Sequence, residues 1–309
     1  MSRLIHCGSV VADLVMTVPA LPPAGGDVLA TSTSTSPGGG FNVIAAAARS
    51  GMEVLYAGAH GTGRNGDMAR HALAEEGVEV VHPPLPDLDT GFCVALVDSD
   101  AERTFISSLG AEGHLAYAQL AQAPVEAGDF VYVAGYSLMS GPRVGDLVRW
   151  IEELPDSVRL VFDPAPVVAE IDPAILARVF ARVDVLSLNA REAELVTGLS
   201  RPEEAAADLV RRGRQGSLVV LRDSARGCLL AESGGDPVRV AGFAVAAVDT
   251  NGAGDAHTGA FVAALAAGRS PHQAARWANA AAAIAVTRLG PATAPRSAEL
   301  RAFLTDQTG

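Results

Sequence analysis

The chain has 309 residues, of which 49% are hydrophobic and 19% charged, a globular composition that excludes disorder. Its formal net charge of -12, with no run of Lys or Arg, argues against a nucleic-acid partner. Three separated cysteines, Cys7, Cys93 and Cys228, form neither a CxxC zinc pair nor a disulfide framework, and fit a reducing cytoplasm.

Residues 4–7 (LIHC) read as the first buried strand. Asp13 follows before a signal-peptide core is completed, and no later apolar run approaches the ~18 residues of a membrane span, so a soluble cytoplasmic protein without a membrane partner is expected. Residues 28–36 (VLATSTSTS) alternate small or apolar with polar side chains, as a strand with one wet face does. Pro37 to Asn42 (PGGGFN) then leads into a helix over residues 42–50. Consecutive glycines there let a polar ligand approach the backbone, and Asn42 can exchange hydrogen bonds with a sugar hydroxyl. Taken alone, a flexible loop and a helix cap account for the same residues.

A strand at 54–59 precedes GTGRNG at 61–66, which fits the dinucleotide fingerprint GxGxxG and makes an oxidoreductase the rival reading. The helix expected at 67–76 follows. Residues 92–97 and 103–107, joined by the polar 98–102 turn, read as another pair of wet-faced strands. Strands at 130–133, 160–162, 183–188 and 218–221 then alternate with helices at 144–153, 173–181 and 203–212. This is the βα rhythm of a mainly parallel sheet. Residues 240–248 read as one more apolar strand, and helices at 255–267, 271–287 and 297–304 close the chain.

The sharpest chemical signal is DTNGAGD, Asp249 to Asp255, lying between that apolar run and an Ala-rich helix. Gly252, Ala253 and Gly254 at a helix start leave backbone N–H groups accessible, which makes an anion hole reinforced by the helix dipole. Asp255 beside it can accept the proton of an attacking hydroxyl. A tight turn with Asp255 as a cap is the alternative for these seven residues alone.

DTNGAGDAHTGAF (249–261) resembles the C-terminal signature of the ribokinase-like, or phosphofructokinase-B type, sugar kinases. It departs at His257, where that family usually has an aromatic side chain. The resemblance implies a three-layer α/β/α fold with a mainly parallel central sheet. A small β-sheet lid, built discontinuously from about 10–38 and 90–108, belongs to one kinase domain over 1–309. It further implies that Asp255 is the base, that Gly252, Ala253 and Gly254 form the anion hole, and that Asp13, Gly39, Gly40 and Asn42 hold the acceptor.

Asn189 and Glu192 match the family's Asn-x-x-Glu motif, which acts around ATP phosphates and Mg²⁺. Glu192 acts there partly through water, as suits an ion that keeps its hydration. Arg222, Ser224 and Gly227 fall in the position of the nucleotide loop, with Ser224 replacing a frequent glycine, and Asn279 falls where the family contacts adenine. DPAP at 163–166 and AAAIAVTRLG at 281–290 are similar to the ribokinase branch. From that likeness a K⁺ site is expected at Asp249, the backbone of Asn251 and carbonyls between 285 and 291.

The expected activity is ATP-dependent phosphorylation of a small sugar, ribose-like or other. A nucleoside or ketodeoxy sugar acid kinase, and a non-catalytic sugar or nucleotide sensor, are the alternatives. Arg103 reads either as a partner for an acidic or phosphorylated sugar or as an exposed lid charge. The exposed lid edge predicts a homodimer through the lids.

Overall fold

The structure, a computed structural model, describes residues 2–100, 102–139 and 143–307; Ala101, in the expected 98–102 turn, lies outside them. In chain order the strands are β1 (Leu4–His6), β2 (Val10–Thr17), β3 (Ser32–Gly39), β4 (Val54–Tyr56), β5 (Glu79–Val80), β6 (Phe92–Val97) and β7 (Arg103–Ser108). They continue with β8 (Phe130–Ala134), β9 (Arg159–Asp163), β10 (Val185–Asn189), β11 (Leu218–Arg222), β12 (Cys228–Glu232) and β13 (Val238–Val240).

Nine of them form one sheet in the order β13-β12-β11-β10-β9-β8-β1-β4-β5. From β11 to β5 all pairs are parallel, whereas β12 and β13 add an antiparallel edge. Successive side chains on a strand point to opposite faces, and the core divides accordingly. Val185, Leu218 and Val220 pack with the helices Phe41–Arg49, Ala253–Ala266 and Pro271–Ala285. Leu186, Leu188, Val219 and Leu221 pack with Val144–Glu153, Pro173–Phe180 and Pro202–Arg212. Strands buried on both faces explain the near-continuous apolar runs of the sequence, and the helices on either side make a three-layer α/β/α arrangement.

The remaining four strands form a separate sheet, β3-β2-β6-β7, with β2 parallel to β6 and both outer pairs antiparallel. β7 is exposed at every residue from Thr104 to Ser108 and β3 from Ser32 to Thr35, so these outer strands are solvated on both faces there and the expected single wet face does not hold for them.

Two further expectations change. Residues 240–248 are a strand only at their first residue, because the segment peels away from the sheet after Val240 and lies beside the C-terminal end of the helix Pro271–Ala285. There the Val248 and Asp249 N–H groups donate to the Val286 carbonyl. The wet-faced strand at 28–36 begins instead at Ser32 and runs to Gly39.

The helices Phe41–Arg49 and Ala253–Ala266 are in close contact, and Gly259 is the reason. A Cβ at that position would sit 2.4 Å from the Val43 carbonyl oxygen, and backbone cannot give way as a side-chain tip can. Gly259→Ala is therefore expected to cost about 1–3 kcal/mol, seen as a lowered melting temperature, and to push Asn42 away from Asp255. An unchanged melting temperature would mean that the helices separate freely.

Candidate active site

The site gathers at the carboxyl ends of the parallel strands, where open α/β sheets hold their ligands. Asp163, Asn189 and Arg222 are the last residues of β9, β10 and β11, and Asn189 pairs with Arg222 in register. Opposite them the helix Ala253–Ala266 begins at Gly252, whose φ of 70° lies in the left-handed region that a side chain disfavours. The first N–H groups of a helix have no carbonyl one turn earlier to receive them. Here one of them, Ala253 N, donates to the Thr250 carbonyl at 3.3 Å.

Asp255 stands in that first turn and accepts a hydrogen bond from Asn42 Nδ2 at 3.0 Å. Burial, partly offset by the Asn42 bond and reinforced by the negative charge of Asp163, raises its pKa to about 6. Asn42 is buried, and its Oδ1 has no partner within the protein, so it is free to accept from a ligand hydroxyl. Asp13, on β2, is also raised to about 6 by burial. Its carboxylate lies directly over Gly38, where a Cβ would fall 1.9 Å from Oδ2. Gly40 is likewise pressed against the His6 ring, which a Cβ would meet at 2.2 Å. The glycine run thus makes room for Asp13 and His6, and Gly39 takes a φ of 59° between them.

Behind the helix start at Gly252 lies a cluster that sequence reasoning did not assemble. Arg222 Nη1 donates to Asp163 Oδ2 at 2.9 Å, Ser187 Oγ at 2.6 Å and Thr258 Oγ1 at 2.9 Å. Its Nη2 is 3.5 Å from Glu192 Oε2. Burial would lower the guanidinium pKa, but the Asp163 and Glu192 charges outweigh it and hold the group above its usual value. The guanidinium packs against Gly254, whose Cβ position is 3.4 Å from Nε. Glu192 and Asn189 satisfy each other as a capping box, with Asn189 N to Glu192 Oε2 at 2.8 Å and Glu192 N to Asn189 Oδ1 at 2.9 Å. Burial and the Asp163 charge raise the Glu192 pKa. Asp163 was visible in the sequence only as the start of DPAP; its position at the end of a buried strand was the available signal.

A cavity of about 750 Å³ adjoins these residues, walled by Asn189, Arg222, Ser224, Gly227, His257 and Asn279. That size suits a nucleotide, and the lining is mainly apolar with a few polar groups, as ligand sites are. Ser224, where a glycine was expected, has a φ of 52°, so the loop keeps the backbone shape glycine favours. Asn279 does not project freely: Nδ2 donates to the Val240 and Ala241 carbonyls at 3.0 and 3.1 Å. Its Oδ1 therefore accepts from His257 Nε2, 3.1 Å away. Burial lowers the His257 pKa to about 3, so the ring is neutral, carries its proton on Nε2 and presents an unpartnered Nδ1.

Arg103 and Asp249, assigned separate roles from sequence, are joined: the Arg103 guanidinium is bonded to Asp249 Oδ1. Asn251 N also donates to that oxygen at 2.9 Å, and Gly290 N to Oδ2 at 2.9 Å. The GxGxxG loop holds a carboxylate of the protein itself. Asp89 accepts from Asn65 N at 3.1 Å and Gly66 N at 2.8 Å, so the helix start that would bind a pyrophosphate is occupied internally.

The sequence pattern described as pfkB family carbohydrate kinase matches residues 1–298. Among curated relatives, the sugar kinase YegV of Escherichia coli K12, itself uncharacterised, is 35% identical over 95% of this chain and 91% of its own length. A ribokinase of Haemophilus influenzae is 29% identical over 92% of each. Among solved structures, the Arabidopsis thaliana ribokinase complexed with ribose and ATP superimposes with a TM-score of 0.79 at 22% identity, covering 98% of this chain and 99% of that one. That likeness is one of fold.

Because burial favours the neutral acid of Asp255, its ionisation costs stability above about pH 6 and nothing below its ordinary value near 3.8. Asp255→Asn is therefore expected to be more stable than the parent at pH 8, by about 1–3 kcal/mol. The gain should shrink as the pH falls from 6 towards 4 in denaturant titrations. A gain that persists unchanged at pH 4 would show that the carboxylate is not desolvated.

Proposed function

Because this chain belongs to the pfkB family of carbohydrate kinases, we propose that it transfers the γ-phosphate of ATP to a hydroxyl of a ribose-like sugar, with Asp255 as the base. The observation that carries this is Asp255 itself: a half-buried carboxylate at a helix N-terminus, oriented by Asn42 and poised near pH 6. The sugar hydroxyl gives its proton to Asp255 as its oxygen attacks the γ-phosphorus. The bond to the β-phosphate oxygen breaks, releasing ADP. N–H groups of the turn at Gly252, Ala253 and Gly254 stabilise the charge on the transferred group.

Arg222, held against Gly254 by Asp163, adds a fixed positive charge beside the same oxygens. Asn189, Ser224, Gly227 and Asn279 border the cavity proposed for the nucleotide. Among the described residues no cluster of three acidic, His or Cys side chains could hold a metal unaided. Mg²⁺ would arrive with ATP and neutralise phosphate charge, with Glu192 as the nearby carboxylate. K⁺ has no part in the proposed step, because Arg103 already meets the Asp249 charge.

Asp13, Asn42 and the backbone at Gly39 and Gly40 form the acceptor side. Two carboxylates and an amide oxygen suit a neutral polyol that donates hydrogen bonds. Arg103, already paired with Asp249, supports a neutral sugar over an acidic or phosphorylated one. The small sheet that carries Asp13 is placed to act as a lid that excludes water during transfer. Phe105 and Ile106 on its edge strand are 57% and 61% exposed, which supports association of two chains through their lids. No helix among the described residues is long and apolar enough to cross a membrane.

The test is ATP-dependent phosphorylation across a panel of ribose, fructose, ketodeoxygluconate and nucleosides. One sugar should turn over, and Asp255→Asn should lower kcat by about 10²- to 10⁴-fold while ATP binding persists. The acid limb of the kcat/KM profile should fall below about pH 6, as Asp255 or Asp13 takes up a proton. Full activity of Asp255→Asn would overturn the assignment, and ATP binding without turnover of any acceptor would favour a sensor.

A further inference from the structure

We infer that Arg103 is a built-in cation which couples the acceptor sheet to the phosphate-binding turn, and that it takes the place of a monovalent metal ion at Asp249. The inference rests on the kinase reading above. Three protein donors already converge on the Asp249 carboxylate: Arg103 and Asn251 N on Oδ1, and Gly290 N on Oδ2. Two of the carbonyls expected to complete a cation shell are engaged as well: Ala285 O accepts from Thr293 Oγ1 and Arg288 N, and Val286 O accepts from Val248 N and Asp249 N. An alkali cation needs several hard oxygens around uncompensated negative charge, and with Arg103 on Oδ1 the Asp249 carboxylate does not offer that charge. The expected K⁺ site is therefore not matched while Arg103 holds Asp249.

The charge that an ion would supply is present as the guanidinium. Arg103 begins β7, and β7 pairs with β6, which pairs with β2 so that Cys93 lies opposite Asp13. Two hydrogen-bonded ladders thus connect Arg103 to the acceptor carboxylate. On the other side Asp249 holds Asn251 N, and the turn that follows is closed by Ala253 N on the Thr250 carbonyl at 3.3 Å. Acceptor site and anion hole are consequently tied by one ion pair, 11% exposed on the Asp249 side and 25% on the Arg103 side. At that burial, removing one partner leaves a poorly solvated charge on the other.

The experiment compares the parent, Arg103→Ala and Arg103→Lys in potassium chloride and in tetramethylammonium chloride at equal ionic strength. Two readouts are taken: sugar phosphorylation, and melting temperature without substrate. The parent should respond equally to both salts. Arg103→Ala should lose about tenfold in kcat/KM in tetramethylammonium, the usual size of a coupling between sites, and recover most of it in K⁺. Its melting temperature should rise specifically in K⁺, because the vacated carboxylate can then take the ion. Arg103→Lys should remain indifferent to K⁺.

A pair that is merely structural would lower activity and melting temperature equally in both salts, and that result overturns the inference. So does a parent enzyme that K⁺ activates severalfold. If the parent phosphorylates no sugar, the kinase reading fails by itself, and the K⁺-specific melting shift of Arg103→Ala still decides the role of Arg103.

Discussion

The hydrogen bond from Asn42 to Asp255 depends on two helices from opposite ends of the chain lying almost backbone to backbone. Gly259 permits that approach, and the helix packing aligns the amide with the carboxylate across 213 residues of sequence. In the proposed reaction this contact orients Asp255 as the base, and it leaves Asn42 Oδ1 without a protein partner. It also stabilises the ionised form of a carboxylate whose burial otherwise favours the neutral acid, and so keeps the pKa near the working range of a general base.

A second constraint is electrostatic. Asp163, Glu192, Asp255 and Asp13 place four carboxylates around one end of the sheet, and Arg222 is the buried cation that lets the nearest of them coexist. Its contacts to Ser187 and Thr258 fix the guanidinium between β10 and the helix that carries Asp255. The charge is therefore preorganised and need not be assembled during the reaction, which is the arrangement that contributes most to stabilising a charged transition state. The small sheet is tied to the turn before the helix that carries Asp255 by the pair Arg103–Asp249, which also holds Asn251 N.

Much of the architecture was legible in the chain because strand and helix periodicities are local. Parallel strands buried on both faces leave uninterrupted apolar runs, and the parity of residues along β11 already separates the two faces of the sheet. DTNGAGD was legible for a related reason: a left-handed glycine and small residues at a helix start are requirements of backbone geometry. The segment 240–248 misled because its apolar residues serve a cavity wall and the end of a neighbouring helix. Periodicity cannot distinguish that use from a strand.

The sequence alone determined the α/β class, the glycine turn at 252–254 and the helix start that carries Asp255, since each depends on neighbours within a few positions. Partnership was decided only by the tertiary structure. Arg103 with Asp249, Arg222 with Asp163 and Glu192, Asn279 with His257, and Asp89 filling the GxGxxG loop all join residues distant in the chain. A charged or amide side chain has the same appearance in sequence whether it faces a ligand or another residue. Folding chooses between them, because a buried polar group must find a partner within the protein or receive one from a substrate.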